Sequence, residues 1–171
     1  MSRSPAAPRH CVEKIVSGGQ TGVDRAALDV ALAMGIDCGG WCPKNRRAED
    51  GHIPRRYPLV ETNSTRYSER TRRNVRDSDA TLILFRQQPR GGTLLTERTA
   101  AKLGKPWLAI DLEAPPEFAA IRTWLRRFRI KILNVAGPRE SQSTGITLAA
   151  TQFLHELLSN RRSLQKRNRQ R

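Results

Sequence analysis

The stretch IVSGGQTGVDRAALDVAL, residues 15–32, decides the fold. It opens on an apolar run, turns through Gly18, Gly19 and Gly22, and then repeats apolar residues at helical spacing. A strand that enters a helix through a glycine-rich turn is the opening unit of an α/β sheet. Glycine lets backbone N–H groups come close to an anion, and the start of the helix adds a favourable dipole. Gln20 and Thr21 lie inside the turn. Thr21 and Asp24 fit a capping box, in which each side chain satisfies an exposed N–H. Asp24 has a second reading as a ligand contact. Arg25 reads either as a phosphate partner or as a solvated residue of the first helical turn.

The same alternation continues outward from this unit. Strands are predicted near 11–17, 36–39, 80–85, 106–111 and 131–136, with helices near 22–34, 67–77, 93–103, 116–128 and 144–158. Five strands and about five helices make a Rossmann-like doubly wound α/β domain, with a mostly parallel sheet and helices on both faces. A chain of 171 residues suits one such domain, at 11–160, between tails at 1–10 and 161–171 that read as disordered. The helix over 116–128 sets Ile121, Trp124, Leu125 and Phe128 against a solvated basic face. The last helix carries a core stripe through Ile146, Ala149, Ala150, Phe153, Leu154 and Leu157.

Two further glycine turns follow predicted strands. PRGGTLLTERTA, residues 89–100, places Gly91, Gly92 and Thr93 before a helix. AGPRESQSTG, residues 136–145, offers Arg139, Glu140 and Ser141 before another. Three such turns at one sheet edge point to a single phosphorylated ligand. No G-x-x-x-x-G-K-[ST] is present, which argues against P-loop NTP hydrolysis. The spacing of Gly18, Gly19 and Gly22 is not G-x-G-x-x-G either, and Asp37 as a ribose-binding acid stands alone.

The segment 40–58 carries no periodicity. Its Trp41 can stack on a flat heterocycle or pack the loop onto the sheet. Lys44, Arg46 and Arg47 can neutralise phosphates or stay solvated, and Glu49 and Asp50 can pair with them. Cys38, Cys42 and His52 lack the second ligand pair that structural zinc needs, so no metal site is expected.

The net charge of +15 is unevenly spread, with six basic residues and no acid in 161–171. That tail suits nucleic acid through counterion release, or simple solvation. No run of 18 apolar residues exists, and the first ten residues lack the apolar core of a signal peptide. Three cysteines are too few for a disulfide framework, so the expected setting is the reducing cytoplasm, with no membrane partner.

Through SGGQTGVDRAALDVAL, GGWCPKNRRAEDGHIPRRYPL, NVRDSDATLIL, GGTLLT and AGPRES, residues 12–158 resemble the "putative molybdenum carrier" family. That family is similar to the molybdenum-cofactor carrier protein and to the lysine-decarboxylase-like nucleotide phosphoribohydrolases. The resemblance implies a homo-oligomeric binding protein for molybdenum cofactor (a pterin phosphate) or a nucleotide, with molybdoenzymes as partners. It places the first phosphate loop at Gly18, Gly19, Gln20, Thr21 and Gly22, and the second at Gly91, Gly92 and Thr93. In the phosphoribohydrolases the second turn reads P-G-G-x-G-T-x-x-E, with a catalytic glutamate. Here Leu94, Leu95 and Thr96 follow Thr93, and Glu97 is displaced by one, which removes that carboxylate. A hydrolase would have to use Glu97, Asp24 or Glu140 instead. The opening stretch also looks like the S-G-x-x-x-G-I-D-x-x-A-H-x-x-A-L run of DNA-processing protein A, a single-stranded DNA binder. Leu28 lies near the place of its histidine, which this sequence lacks.

Overall fold

The computed structural model describes residues 10–88 and 91–159. The expected tails lie outside the described residues, His10 apart, as do Pro89 and Arg90 of the second glycine turn. Strand β1 (Lys14–Val16) leads through the first turn into α1 (Val23–Met34), and β2 (Asp37–Cys42) follows. A 3-10 turn (Lys44–Arg46) then precedes a two-strand ribbon, β3 (Arg47–Ala48) and β4 (Gly51–His52), and the short strand β5 (Leu59–Glu61). Helix α2 (Tyr67–Arg76), β6 (Ala80–Phe85), α3 (Gly92–Lys102), β7 (Trp107–Asp111) and α4 (Phe118–Arg127) alternate regularly. Strand β8 (Ile132–Ala136), a second 3-10 turn (Glu140–Gln142) and α5 (Ile146–Leu158) close the described chain.

Six strands form one fully parallel sheet in the order β5-β2-β1-β8-β6-β7. The last strand therefore sits inside the sheet, between the first strand and β6. This order brings the turns after β1, β8 and β6 out side by side at the carboxyl edge, where doubly wound sheets meet their ligands.

The expected five strands become six in this sheet, plus the ribbon; the ribbon lies in the segment read as aperiodic and the added strand, β5, directly after it. β5 is three residues long, with Leu59 buried and Val60 and Glu61 exposed, too short for alternation to register. β2 runs on past the expected end at 39 because residues 40–42 pair with β5. Its two glycines hide the strand in the sequence. Gly40 is needed there, since a Cβ would strike the Ser17 carbonyl.

The principal core joins α1, α4 and α5 to the sheet through Ile15, Leu82, Leu84, Leu133, Val135, Leu154 and Leu157. Each such fully buried aliphatic side chain contributes about 1.5–3 kcal/mol. A second, smaller core lies under residues 43–58, where Ile53, Tyr57 and Leu59 pack on Leu28 and Cys42. Arg46 ties this strap together. Its guanidinium donates to the carbonyls of Ile53 and Pro54, both at 2.9 Å, Tyr57 at 3.0 Å and Leu59 at 3.2 Å. It is thus committed to the strap and not to a ligand. On the other face of the sheet α2 and α3 present small or polar side chains inward, among them Thr71, Asn74, Thr96 and Thr99. The threonines satisfy their hydroxyls on carbonyls one turn back in their own helices.

Candidate functional site

The first glycine turn is closed by the protein itself. Asp24, 2% exposed, turns back from α1 and accepts the Gln20 N–H at 3.3 Å. Arg70 of α2 reaches under the sheet edge, pairs with Asp24 at 3.2 Å and occupies the space a Cβ at Gly18 would take. Burial pushes the Asp24 carboxyl up, while Arg70 and the N–H groups of Gln20 and Gly18 pull against it. Gly19 packs beneath Leu59 and Ile53. Gly22 lies against the Pro138 carbonyl, which accepts the Val23 N–H at 3.2 Å. These glycines are required by the chain's own close packing. The expected capping box between Thr21 and Asp24 does not form. Asp24 accepts the Gln20 N–H, the Thr21 N–H donates to Gln20 Oε1 and the Thr21 hydroxyl to Glu49, and the helix begins at Gly22 without a side-chain cap.

Glu49 is the clasp between the strap and the sheet edge. Its carboxylate receives the hydroxyls of Thr21 and Ser141 and lies 3.8 Å from Arg139, and its own N–H donates to Gln20 Oε1 at 3.0 Å. Burial works against its ionisation, but the hydrogen bonds from Ser141 and Thr21 outweigh that and hold its pKa below the ordinary value. Asp50 does the same work beside it. Arg25 pairs with Asp50 through both terminal nitrogens and donates to the Gly19 carbonyl at 3.2 Å. The two acids of the loop therefore pair with Arg25 and Arg139, and not with the neighbouring Arg46 and Arg47.

The third turn also carries its own carboxylate. Glu140 caps α5, accepting the Gly145 N–H and, at 3.0 and 2.6 Å, the Thr147 N–H and hydroxyl. The Thr147 hydroxyl and the Gly145 N–H hold its pKa below the ordinary value.

The second turn is different. Helix α3 has no acid in its first turn and no side-chain cap, and among the described residues a Cβ at Gly91 or Gly92 would meet nothing within 4 Å. Its start faces a recess of about 60 Å³ walled by Gln20, Arg70, Thr93, Arg139 and Tyr67. Gln20 is 6% exposed, and its Oε1 is taken by the N–H groups of Thr21 and Glu49, so its amide NH₂ is fixed in place. That Nε2 and the Arg70 Nε are buried without a partner among the described residues. Unpaired buried donors are rare because each costs about 1–3 kcal/mol. Thr93 and Gln142 also line a larger cleft of about 450 Å³, with Arg86, Glu113 and Ser143 on its walls. Arg86 donates to the Thr144 carbonyl at 3.2 Å, and its buried Nε is likewise unpartnered.

The sequence-predicted residues thus divide. Gln20, Asp24, Gly92, Thr93 and Arg139 converge on the recess. Gly18, Gly19, Thr21, Gly22, Arg25, Glu140 and Ser141 form its internally bonded frame. Trp41 lies apart: Arg73 stacks 4.6 Å from its ring and its indole N–H donates to Asp77 at 2.7 Å. Asn74 clamps its backbone N–H and carbonyl at 2.7 and 3.0 Å. Lys44 is exposed at the strap, and Arg47 sits 5.6 Å from the Tyr67 ring, whose surroundings Arg139 shares at 5.4 Å. Cys42 is fully buried in the strap core, where burial pushes its thiol pKa up. Among the described residues no group of three His, Cys, Asp or Glu side chains could hold a metal ion. Also among them, no helix is long and apolar enough to cross a membrane.

Sequence reasoning missed Arg70, Tyr67, Arg86 and Gln142. A signal for the first two was present. Tyr67, Arg70, Thr71, Asn74 and Ser78 recur at helical spacing, so the inward stripe of α2 is itself polar.

Residues 15–158 match the model of the circularly permutated YpsA SLOG family. The chain is also similar to a crystal structure of a "putative molybdenum carrier protein" from Syntrophus aciditrophicus. The two share 42% identity with a TM-score of 0.85, over 89% of this chain and 98% of that one. No curated protein matches the chain.

Proposed function

The chain belongs to the circularly permutated YpsA SLOG family, and from that premise we propose that it is a carrier for a phosphorylated pterin, the molybdenum cofactor, or a nucleotide-like relative of it. The observation that carries this reading is the recess at the start of α3. It combines an uncapped helix N-terminus, the arginines Arg70 and Arg139, and buried donors without partners on Gln20 and Arg70. Such a set suits a phosphate, which would accept from Gln20 Nε2, the Arg70 Nε and the α3 backbone. The adjoining cleft falls within the roughly 300–1,000 Å³ common for small-molecule sites. Arg86, Gln142 and Glu113 there supply both donors and an acceptor for a heterocycle. The name of the Syntrophus protein supports the cargo assignment. Metal-ligating side chains are not required, because the chain would hold its cargo by the phosphate and the ring. Molybdoenzymes would receive the cargo, and a homo-oligomer in the cytoplasm remains part of the reading.

Two of the three carboxylates that a hydrolase could use are otherwise occupied: Asp24 with Arg70, Glu140 with the α5 N-terminus. Thr96, at the position of the relatives' glutamate, donates its hydroxyl to Gly92. The test is calorimetric titration of the full chain with GMP, a pterin phosphate, guanosine and inorganic phosphate. It is paired with mass spectrometry of small molecules released on denaturation. Binding that requires the phosphate supports the carrier reading. Equal binding of GMP and guanosine sinks the phosphate assignment, and release of free guanine from GMP replaces carrier with hydrolase.

A further inference from the structure

Away from this cleft, α2 and α3 lie side by side and leave a groove of about 600 Å³ on the outer face. Its apolar floor comes from Leu95 and Leu103, with Leu103 46% exposed. Its walls are cationic. Arg72 and Arg76 stand four residues apart on α2, and Arg98 and Lys102 four apart on α3, with no acid among the residues that line the groove. Arg76 is paired with Asp77 at 2.7 Å, and a fifth cation, Arg73, with Glu69 at 2.6 Å. Arg72, Arg98 and Lys102 have no ion-pair partner among the described residues. Arg72 only donates to the Ser68 carbonyl, at 3.4 Å.

We propose that this groove docks an acidic amphipathic helix of a partner protein. A helix rises 1.5 Å per residue, so each cationic pair spans about 6 Å. Carboxylates at i and i+4 on both flanks of an incoming helix repeat at that distance, and leucines between them fill the floor. A second copy of this chain fits poorly, because a two-fold interface would set these cations against themselves. Single-stranded nucleic acid fits poorly too. The floor is aliphatic, and the lining has no aromatic ring on which a base could stack. The proposal is independent of what the cleft binds.

The probe is a capped synthetic peptide with leucine at every third and fourth position and glutamate on both flanks. Its counterpart carries lysine in place of glutamate. Both are titrated by fluorescence anisotropy into the full chain, into R72E/R98E and into R98Q/K102Q. Arg72, Arg98 and Lys102 are all exposed, so thermal midpoints should be unchanged. The acidic peptide is expected to bind the unaltered chain. It should lose at least tenfold in affinity to R72E/R98E and less to R98Q/K102Q, while the lysine peptide gains affinity for R72E/R98E. Undiminished binding of the acidic peptide to R72E/R98E overturns the proposal, since other basic surface is then responsible. Absence of peptide binding overturns it as well. So does oligo(dT) binding, or a dimer seen by sedimentation, that the same variant abolishes, which would assign the groove to nucleic acid or to a second copy.

Discussion

Two glycine turns at the same sheet edge look alike in sequence and are opposite in structure. The first, after β1, is filled. Asp24 stands where an anion would stand, Arg70 lies against Gly18, and the strap covers Gly19. The second, at the start of α3, has no carboxylate in its first turn, and among the described residues nothing lies within 4 Å of where a Cβ on its glycines would stand. A glycine-rich strand-to-helix turn is therefore not by itself a ligand site. It marks close approach, and what approaches can be the protein. The lesson is to ask which helix N-terminus still lacks a charge.

The comparison predicts mutational costs that fall into order. Replacing Arg70 by Met should have the largest effect, about 3–5 kcal/mol of stability in urea unfolding, because Asp24 is left buried and unpaired. The double variant D24N/R70M should recover much of it; a double variant as unstable as R70M would show that the pair is not what matters. Gly22→Ala should cost about 3 kcal/mol, since it strains a φ of +78° and drives a methyl group into the Pro138 carbonyl. By contrast Gly92→Ala should leave stability equal or slightly higher, as nothing opposes the methyl and alanine favours helix. If both glycine variants behave alike, the filled-versus-open distinction fails.

On the open side, Thr93→Val should weaken binding of a phosphorylated ligand by about tenfold with little change in unfolding, as expected for one hydrogen bond to a charged group. An unchanged affinity in calorimetry would move the phosphate elsewhere. The smallest effect concerns pH. Glu49, Asp50 and Glu140 are held below their ordinary pKa. The folded state therefore binds their protons less readily than the unfolded one, and their contribution is present above the ordinary value and lost as pH falls below about 4. Asp24 works in the opposite direction, because its raised pKa favours folding at the acid side. Glu140→Gln should thus cost about 1 kcal/mol at neutral pH, and its difference from the unaltered protein should shrink as pH falls below about 4 and through the depressed pKa of Glu140. A difference that persists there would mean that charge is not how Glu140 caps α5.

The strands and helices of the main sheet were readable because each long element carries its period locally. β6 has six consecutive strand residues, ATLILF, with five buried, and α5 shows an unbroken core stripe. The strap was not readable, because its order comes from one arginine gathering four carbonyls and from a six-residue core shared with α1. Neither has a sequence period. Trp41 failed to discriminate for a similar reason. Its neighbours Asn74, Arg73 and Asp77 lie more than thirty positions away, and only the fold brings them to it.

What the sequence determined by itself was the family of folds, the three turns and the edge at which they gather. Period and glycine placement are short-range properties, set by backbone sterics and by which faces must be buried. Only the tertiary structure decided which turn is open, because that depends on charges supplied from elsewhere in the chain. Arg70 comes from α2 to the first turn, Glu49 from the strap to the third, and none of their partners is adjacent in sequence. A buried charge must be matched where the folded chain brings one, and local pattern carries no record of that match.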